Sequence, residues 1–395
     1  MKIVLLEDDD ALRSEWAEAL GTVADLTGDE VSIEVEDDVA GFVQRLENRR
    51  EEARRAPQDE PFEGSNVDSA DLLVVDYDLT LAGVALTGRR VSYLARCYSS
   101  CGVVMLLNER GDNWFDVRLR GDLEAFAQLP VGGRQLANPG LWSGVPTPYF
   151  RPWQWPVIAQ AVRDQAARVE IVNGNLYAPA METVGVPGAV VDAMPRSLVE
   201  ALSTHVNLRE ATFDELATSQ LRRKDTLGAA GRASLIAAQL ASWLEAIVLP
   251  GQNVLVDAPH LVARYPSLLS GPAEELSSWD RTANLSRSAD GLGMHADILA
   301  EAAPAAPWLS RPTWFWSVVS ENQDIAEVRD PWGSRTAPFA FAEDLSRFVP
   351  VDAVRTFTAD VDSPFVRRFA RGPVEEDPFG RGVEYLPSQR FAMHS

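Results

Sequence analysis

Cysteine and histidine are scarce in this chain of 395 residues. Cys97 and Cys101 are the only cysteines, which excludes a disulfide framework. The four histidines, His205, His260, His295 and His394, lie far apart and supply a zinc site poorly. No apolar run reaches the roughly 18–20 residues of a membrane span. The apolar opening Met1–Leu6 turns acidic at Glu7, too soon for a signal peptide, so the expected location is cytoplasmic. Basic residues are also short, 36 Lys+Arg against 58 Asp+Glu, for a formal charge of −22. The deficit is uneven: residues 1–130 carry a net −15 and residues 131–395 a net −7. Such a field argues against DNA and anionic membranes as partners, since phosphate binding needs Lys and Arg to release counterions. It suits a pocket that takes a divalent cation.

What is present is ordinary globular composition, 46% hydrophobic and 24% charged, in a chain long enough for two or three domains. The first ~125 residues alternate strand-like and helix-like segments. Lys2–Leu6, Leu72–Val75 and Val103–Leu107 are continuous apolar runs, and Val31–Val35 alternates. Ala11–Leu20, Val39–Ala56 and Val91–Cys97 between them are helix-compatible. Continuous runs separated by helices predict a parallel sheet covered on both faces. Residues 128–156, with six prolines, four glycines and Trp142, Trp153 and Trp155, read as an ordered connection. Beyond it the chain reads as mainly helical. Val157–Glu170, Arg196–Leu202, Phe213–Leu227, Ala340–Phe348 and Val351–Thr358 are expected helices, and Trp314–Val319 an expected strand. Ala229–Val248 carries the clearest amphipathic stripe, fit for its own core or for a homodimer. Arg222-Arg223-Lys224 reads as the solvated basic face of a helix, with no helix-turn-helix signature beside it. His260, in Asp257-Ala258-Pro259-His260, has no G-x-S-x-G nucleophile motif to serve and reads as a hydrogen-bonded structural residue.

Acidic residues stand at two strand ends. Glu7 and Asp8 follow the first strand and Asp76 ends the Leu72–Val75 strand. In an open parallel sheet the carboxyl ends of the strands border one crevice, so these acids converge. Three carboxylates in one crevice repel unless a cation neutralises them, and Mg²⁺ takes such oxygen ligands. A carboxylate beside Mg²⁺ is also a nucleophile toward a phosphoryl group.

The run Lys2-Ile3-Val4-Leu5-Leu6-Glu7-Asp8-Asp9-Asp10-Ala11-Leu12-Arg13 resembles the opening of the receiver domain of two-component response regulators. Asp71-Leu72-Leu73-Val74-Val75-Asp76-Tyr77-Asp78-Leu79 resembles its phosphoacceptor strand. The resemblance covers about the first third of the chain. It implies a flavodoxin-like, doubly wound α/β receiver-like domain over 1–127, followed after the 128–156 connection by a mainly helical output or partner-binding domain over 157–395. Asp76 would be the phosphorylated residue, with Glu7, Asp8 and Asp76 holding Mg²⁺ and Asp78 adding its backbone carbonyl. A sensor histidine kinase or another signalling protein would be the partner.

The switch residues depart from the family. Leu107 or Asn108 stands where a Ser or Thr belongs. Phe115-Asp116-Val117-Arg118 resembles the fifth strand, with Phe115 for the switch aromatic and Arg118 where the lysine falls. Only seven residues separate it from the fourth strand, too few for the usual fourth helix. The alternative is therefore a pseudo-receiver, the same fold used for protein interaction without phosphorylation. A second alternative rests on Val75-Asp76-Tyr77-Asp78-Leu79-Thr80, which resembles the hhhDxDxT motif of haloacid-dehalogenase-like phosphatases, with Asp76 as nucleophile and Asp78 as general acid.

Overall fold

The structure is a computed structural model; it describes residues 1–24, 30–82, 86–108, 126–143, 156–204, 206–283, 296–322, 338–342, 347–357 and 368–370. The chain divides into two compact units, Met1–Trp243 and Leu244–Ser395.

The first unit is built on five parallel strands, β1 (Lys2–Leu6), β2 (Ser32–Glu36), β3 (Leu72–Asp76), β4 (Val103–Asn108) and β5 (Leu129–Gly132), in the order β2-β1-β3-β4-β5. The apolar runs form the central strands because both their faces are covered. On one face Val4, Leu6, Leu73, Val75, Val104 and Leu106 meet Phe42 and Leu46 of α2 (Val39–Arg55) and Val91 and Leu94 of α3 (Gly88–Tyr98). On the other, Ile3, Leu5, Leu72, Val74, Met105 and Leu107 meet Trp16 and Leu20 of α1 (Asp10–Ala24).

Residues expected as a connection belong to this core. β5 occupies the sheet edge, where Pro130 costs no interior ladder bond. Leu136 of α4 (Gly133–Leu136), Trp142 of α5 (Pro139–Ser143) and Ile158 of α6 (Ile158–Gly174) cover the α1 face. Phe115 and Arg118 lie outside the described residues; among the described residues, the second neighbour of β4 is Leu129–Gly132.

Short helices follow, α7 (Ala180–Val184), α8 (Gly188–Ala193), α9 (Arg196–Leu202) and α10 (Phe213–Gln220), then α11 (Ala229–Trp243). The α11 stripe faces this unit's own core: Leu235, Ile236, Leu240 and Trp243 are fully buried, and the helix packs on α6, α10 and α3.

Helix α10 stops at Gln220, so Arg222-Arg223-Lys224 is not helical as expected. The segment instead returns to α2 and α3. Asp225, whose side chain is wholly buried, accepts hydrogen bonds from Arg50 Nε (3.0 Å), Arg54 Nη2 (2.9 Å) and the Tyr93 hydroxyl (2.7 Å). The Arg222 guanidinium lies 4.3 Å over the Tyr93 ring, and its backbone N–H donates to the Tyr93 hydroxyl. Burial pushes the Asp225 carboxyl up, but the bonds from Arg50, Tyr93 and Arg54 outweigh it and hold the group below the usual carboxylate range.

The second unit mixes helices α12 (Ala258–Arg264), α13 (Leu276–Ala283), α14 (Ala296–Glu301) and α15 (Trp316–Glu321) with short strands. β6 (Leu255–Asp257) pairs antiparallel with β7 (Thr313–Phe315). Thus only the start of the expected Trp314–Val319 strand is extended. β8 (Phe339–Ala342) and β9 (Arg347–Pro350) replace the helix expected over Ala340–Phe348, and β10 (Arg355–Phe357) lies within the one expected over Val351–Thr358. With β11 (Arg368–Ala370) they form a four-stranded sheet in the order β10-β11-β8-β9. Phe339 and Phe348 pack on Trp279, and Phe341 meets Phe348 across the β8–β9 pair.

Candidate metal and phosphoacceptor site

β1 and β3 are neighbours, and the register Leu6↔Val75 sets Glu7 beside Asp76 at their carboxyl ends. The chain leaves β1 and enters α1 at Asp10, with Asp9 Oδ1 accepting the N–H groups of Ala11 and Leu12. That turn fixes Glu7 and Asp8 at the sheet rim. One carboxylate oxygen from each of Glu7, Asp8 and Asp76 lies within 4.8 Å of the others.

Each acid is held differently. Glu7 is 1% exposed; one oxygen accepts the Asp9 N–H at 2.9 Å, and the other is buried without a partner. Asp76, also buried, accepts the Asp78 N–H at 2.8 Å. Asp8 is half-buried and accepts the Ala82 N–H at 2.7 Å, from the 3₁₀ turn Thr80–Ala82. Asp78 is exposed, and its side chain accepts from the Thr80 hydroxyl at 2.8 Å rather than joining the other three.

Helix α3 closes the crevice from behind. The Gly88 N–H donates to the Tyr77 carbonyl at 2.9 Å, and a Cβ on Gly88 would stand 2.1 Å from the Asp76 carbonyl oxygen. Only glycine lets the helix start this close to the strand end. The Tyr77 N–H donates to the Leu107 carbonyl, continuing the β3–β4 ladder past Asp76.

Burial pushes the Glu7 carboxyl up to about 8, helped by the charges of Asp76 and Asp8 and opposed by the amides of Asp9 and Asp8. A buried carboxylate oxygen with no donor calls for a proton or a cation. The donor set is all oxygen, which suits hard divalent cations over zinc or copper.

The structure therefore brings together Glu7, Asp8 and Asp76, with the Asp78 backbone beside them. Leu107 stands opposite Asp76 in the register, its side chain buried in the core on the α1 face. Asn108 ends β4 opposite Gly132. Sequence reasoning missed the Ala82 N–H that orients Asp8 and the Gly88 contact behind Asp76. The Asp78-Leu79-Thr80 and Thr87-Gly88 patterns, an Asx-type turn and a capped helix start, carried those signals.

Among the described residues, no helix is long and apolar enough to cross a membrane. Compared with protein-family models, curated proteins and solved structures, the chain matches none.

Proposed function

We propose that the protein is an atypical response regulator whose first unit is a flavodoxin-like, doubly wound receiver. The observation that carries the reading is the convergence of Glu7, Asp8 and Asp76 at the ends of adjacent parallel strands, with one buried oxygen left unpartnered. The strand order β2-β1-β3-β4-β5, with apolar clusters on both sheet faces, supports the fold assignment.

In this reading Glu7, Asp8 and Asp76 hold Mg²⁺, with the Asp78 backbone carbonyl. When bound, the ion neutralises the acids and the charge of an incoming phosphoryl group. An Asp76 carboxylate oxygen attacks phosphorus, a new P–O bond forms, and the leaving group departs with its electron pair. Asp8 and Glu7, the latter protonated until a cation replaces its proton, would supply oxygen ligands, and Gly88 keeps α3 close behind the reacting strand end. The donor would be a phosphohistidine on a sensor kinase, and the setting cytoplasmic.

The buried Leu107 favours a second reading. It puts an aliphatic side chain where the family resemblance calls for a hydroxyl that reads out the phosphoryl group, as a pseudo-receiver would.

The test is incubation with Mg²⁺ and acetyl phosphate, or beryllofluoride, read by intact mass and tryptophan fluorescence. The expected result is one phosphoryl adduct on wild type and none on Asp76→Ala. Mg²⁺ binding without an adduct selects the pseudo-receiver, no Mg²⁺ binding defeats both the cation site and the relay, and multiple turnover selects the phosphatase.

A further inference from the structure

The second unit gathers a cluster of charged side chains around Asp257, remote in sequence from the acidic crevice. Asp257 ends β6 and caps α12: its Oδ1 accepts the His260 N–H at 3.4 Å and lies 2.5 Å from His260 Nδ1. The pairing Asp257↔Thr313 brings Arg311 alongside, its Nη1 4.0 Å from Asp257 Oδ2. Arg264, the last residue of α12, donates through Nη2 to the Gln252 carbonyl and lies 4.1 Å over the Trp316 ring. Gln252 holds a left-handed backbone (φ 52°) while its side chain accepts the Asp257 N–H at 3.0 Å. Burial pulls the Arg264 guanidinium down to about 10, with the Asp257 charge opposing.

Four donor atoms here are buried and have no hydrogen-bond partner: Arg264 Nε and Nη1, Arg311 Nε, and the Ser310 hydroxyl. Native interiors rarely leave such groups unmet, and a buried guanidinium N–H is among the costliest to strand. Asp257 cannot meet them, since Oδ1 is engaged by His260 and Oδ2 stands beyond hydrogen-bond reach of Arg311. The nearby Glu245 carboxylate already accepts the Ser310 N–H at 2.6 Å. Two guanidinium groups thus feel the Asp257 charge, Arg311 from 4.0 Å, and both retain unused donors. Their natural complement is an oxygen anion, because guanidinium pairs with carboxylate and phosphate in charge-assisted bonds.

We propose that the Arg264–Arg311 cluster is a binding site for one small oxyanion, a phosphate or carboxylate group, held by the unpartnered guanidinium N–H groups and the Ser310 hydroxyl. The site is independent of the acidic crevice and gives the second unit a ligand of opposite charge to the cation of the first.

The probes are inorganic phosphate and, separately, succinate, added to the full chain at constant ionic strength with chloride as control. Binding heat and the urea midpoint are the readouts. Saturable binding of phosphate at one site per chain, with a raised midpoint, identifies a phosphate site; the same result with succinate alone identifies a carboxylate site. Arg311→Gln should weaken binding at least about tenfold and Arg311→Lys recover part of it. Ser310→Ala, which removes only a hydroxyl, should weaken it several-fold and serves where Arg311→Gln does not fold. Absence of saturation by either probe up to ~10 mM, or equal affinity in wild type, Arg311→Gln and Ser310→Ala, overturns the proposal and leaves water as the occupant.

Discussion

Replacing Glu7 by glutamine should convert the charge of the acidic crevice into a stability difference whose sign depends on pH. Glu7 is 1% exposed, one of its oxygens has no partner, and its carboxyl is pushed from an ordinary 4.5 up to about 8. The folded chain therefore keeps a proton on Glu7 over an interval in which the unfolded chain has released it. An acid shifted this way stabilises the native state fully below its unfolded value. The contribution is lost as pH rises through the folded value, and little more is lost above it. At roughly 1.4 kcal/mol per pH unit, the interval between 4.5 and about 8 amounts to about 5 kcal/mol. This is an upper figure, because water entry and relaxation soften a buried charge. Glutamine never ionises, keeps the side-chain volume, and retains a carbonyl for the Asp9 N–H. With divalent cations chelated, Glu7→Gln and wild type should have similar urea midpoints near about pH 5, and the variant should be the more stable by up to several kcal/mol near about pH 9. Magnesium should reverse the order at high pH, since a cation that binds only the folded wild type stabilises it by mass action. The assay is urea unfolding followed by tryptophan fluorescence, in chelator and in magnesium, across pH. Parallel stability curves for the two proteins would refute the buried, unpartnered acid. A variant less stable than wild type at every pH in chelator would show that protein contacts already satisfy the Glu7 carboxylate.

Asp225→Asn should cost about 2–3 kcal/mol at neutral pH, because it removes the charge shared by Arg50 and Arg54. The Asp225 carboxyl is held below its ordinary 3.8, so its contribution is present above that value and lost as pH falls through the folded one. Urea melts of the two proteins should therefore converge in acid, and an undiminished gap there would contradict the ion cluster. Tyr93→Phe should cost about 1–2 kcal/mol in the same measurement, since the hydroxyl bridges Asp225 and the Arg222 N–H. Gly88→Ala puts a methyl 2.1 Å from the Asp76 carbonyl oxygen and should destabilise by about 2 kcal/mol or more. It should also lower divalent-cation affinity by calorimetry; a variant with wild-type stability and affinity would show that α3 can shift freely away from the crevice.

The central strands were legible because a strand buried on both faces must be apolar throughout. Leu72-Leu73-Val74-Val75 is wholly buried, and its β-branched valines and short length favour a strand. The site was legible for the same reason: acids immediately after such runs fall at strand ends, and neighbouring strands bring those ends together. β5 was not legible. Its Leu129-Pro130-Val131-Gly132 carries two residues that ordinarily break structure, and only an edge position tolerates them. Position in a sheet is also settled by tertiary partners that composition does not record. The same limit hid the aromatic strands β8 and β9, each four residues long and so within one turn of a helix period.

The buried ion cluster bears on where the part built on the parallel sheet ends. Asp225 lies 175 residues from Arg50 and 132 from Tyr93, so no local pattern announces their meeting. Once formed, the contact binds residues far beyond the expected limit at 127 to helices α2 and α3. Leu227 and Leu235 join the same apolar cluster as Val4, Val75 and Leu106. Hydrogen bonds between side chains and backbone add to it: the Ala229 N–H donates to Asp59 Oδ1 at 3.0 Å, and the Thr226 hydroxyl to the Ala53 carbonyl at 2.8 Å. A polypeptide cut at residue 127 would leave the Arg50 and Arg54 guanidiniums without Asp225 and would strip Asp225 and Arg222 from Tyr93. A fragment ending at Trp243 keeps those partners. Cooperative urea unfolding is therefore expected of the 1–243 fragment and not of 1–127. A cooperative 1–127 fragment with wild-type cation affinity would show that the acidic crevice needs nothing from the helices that follow.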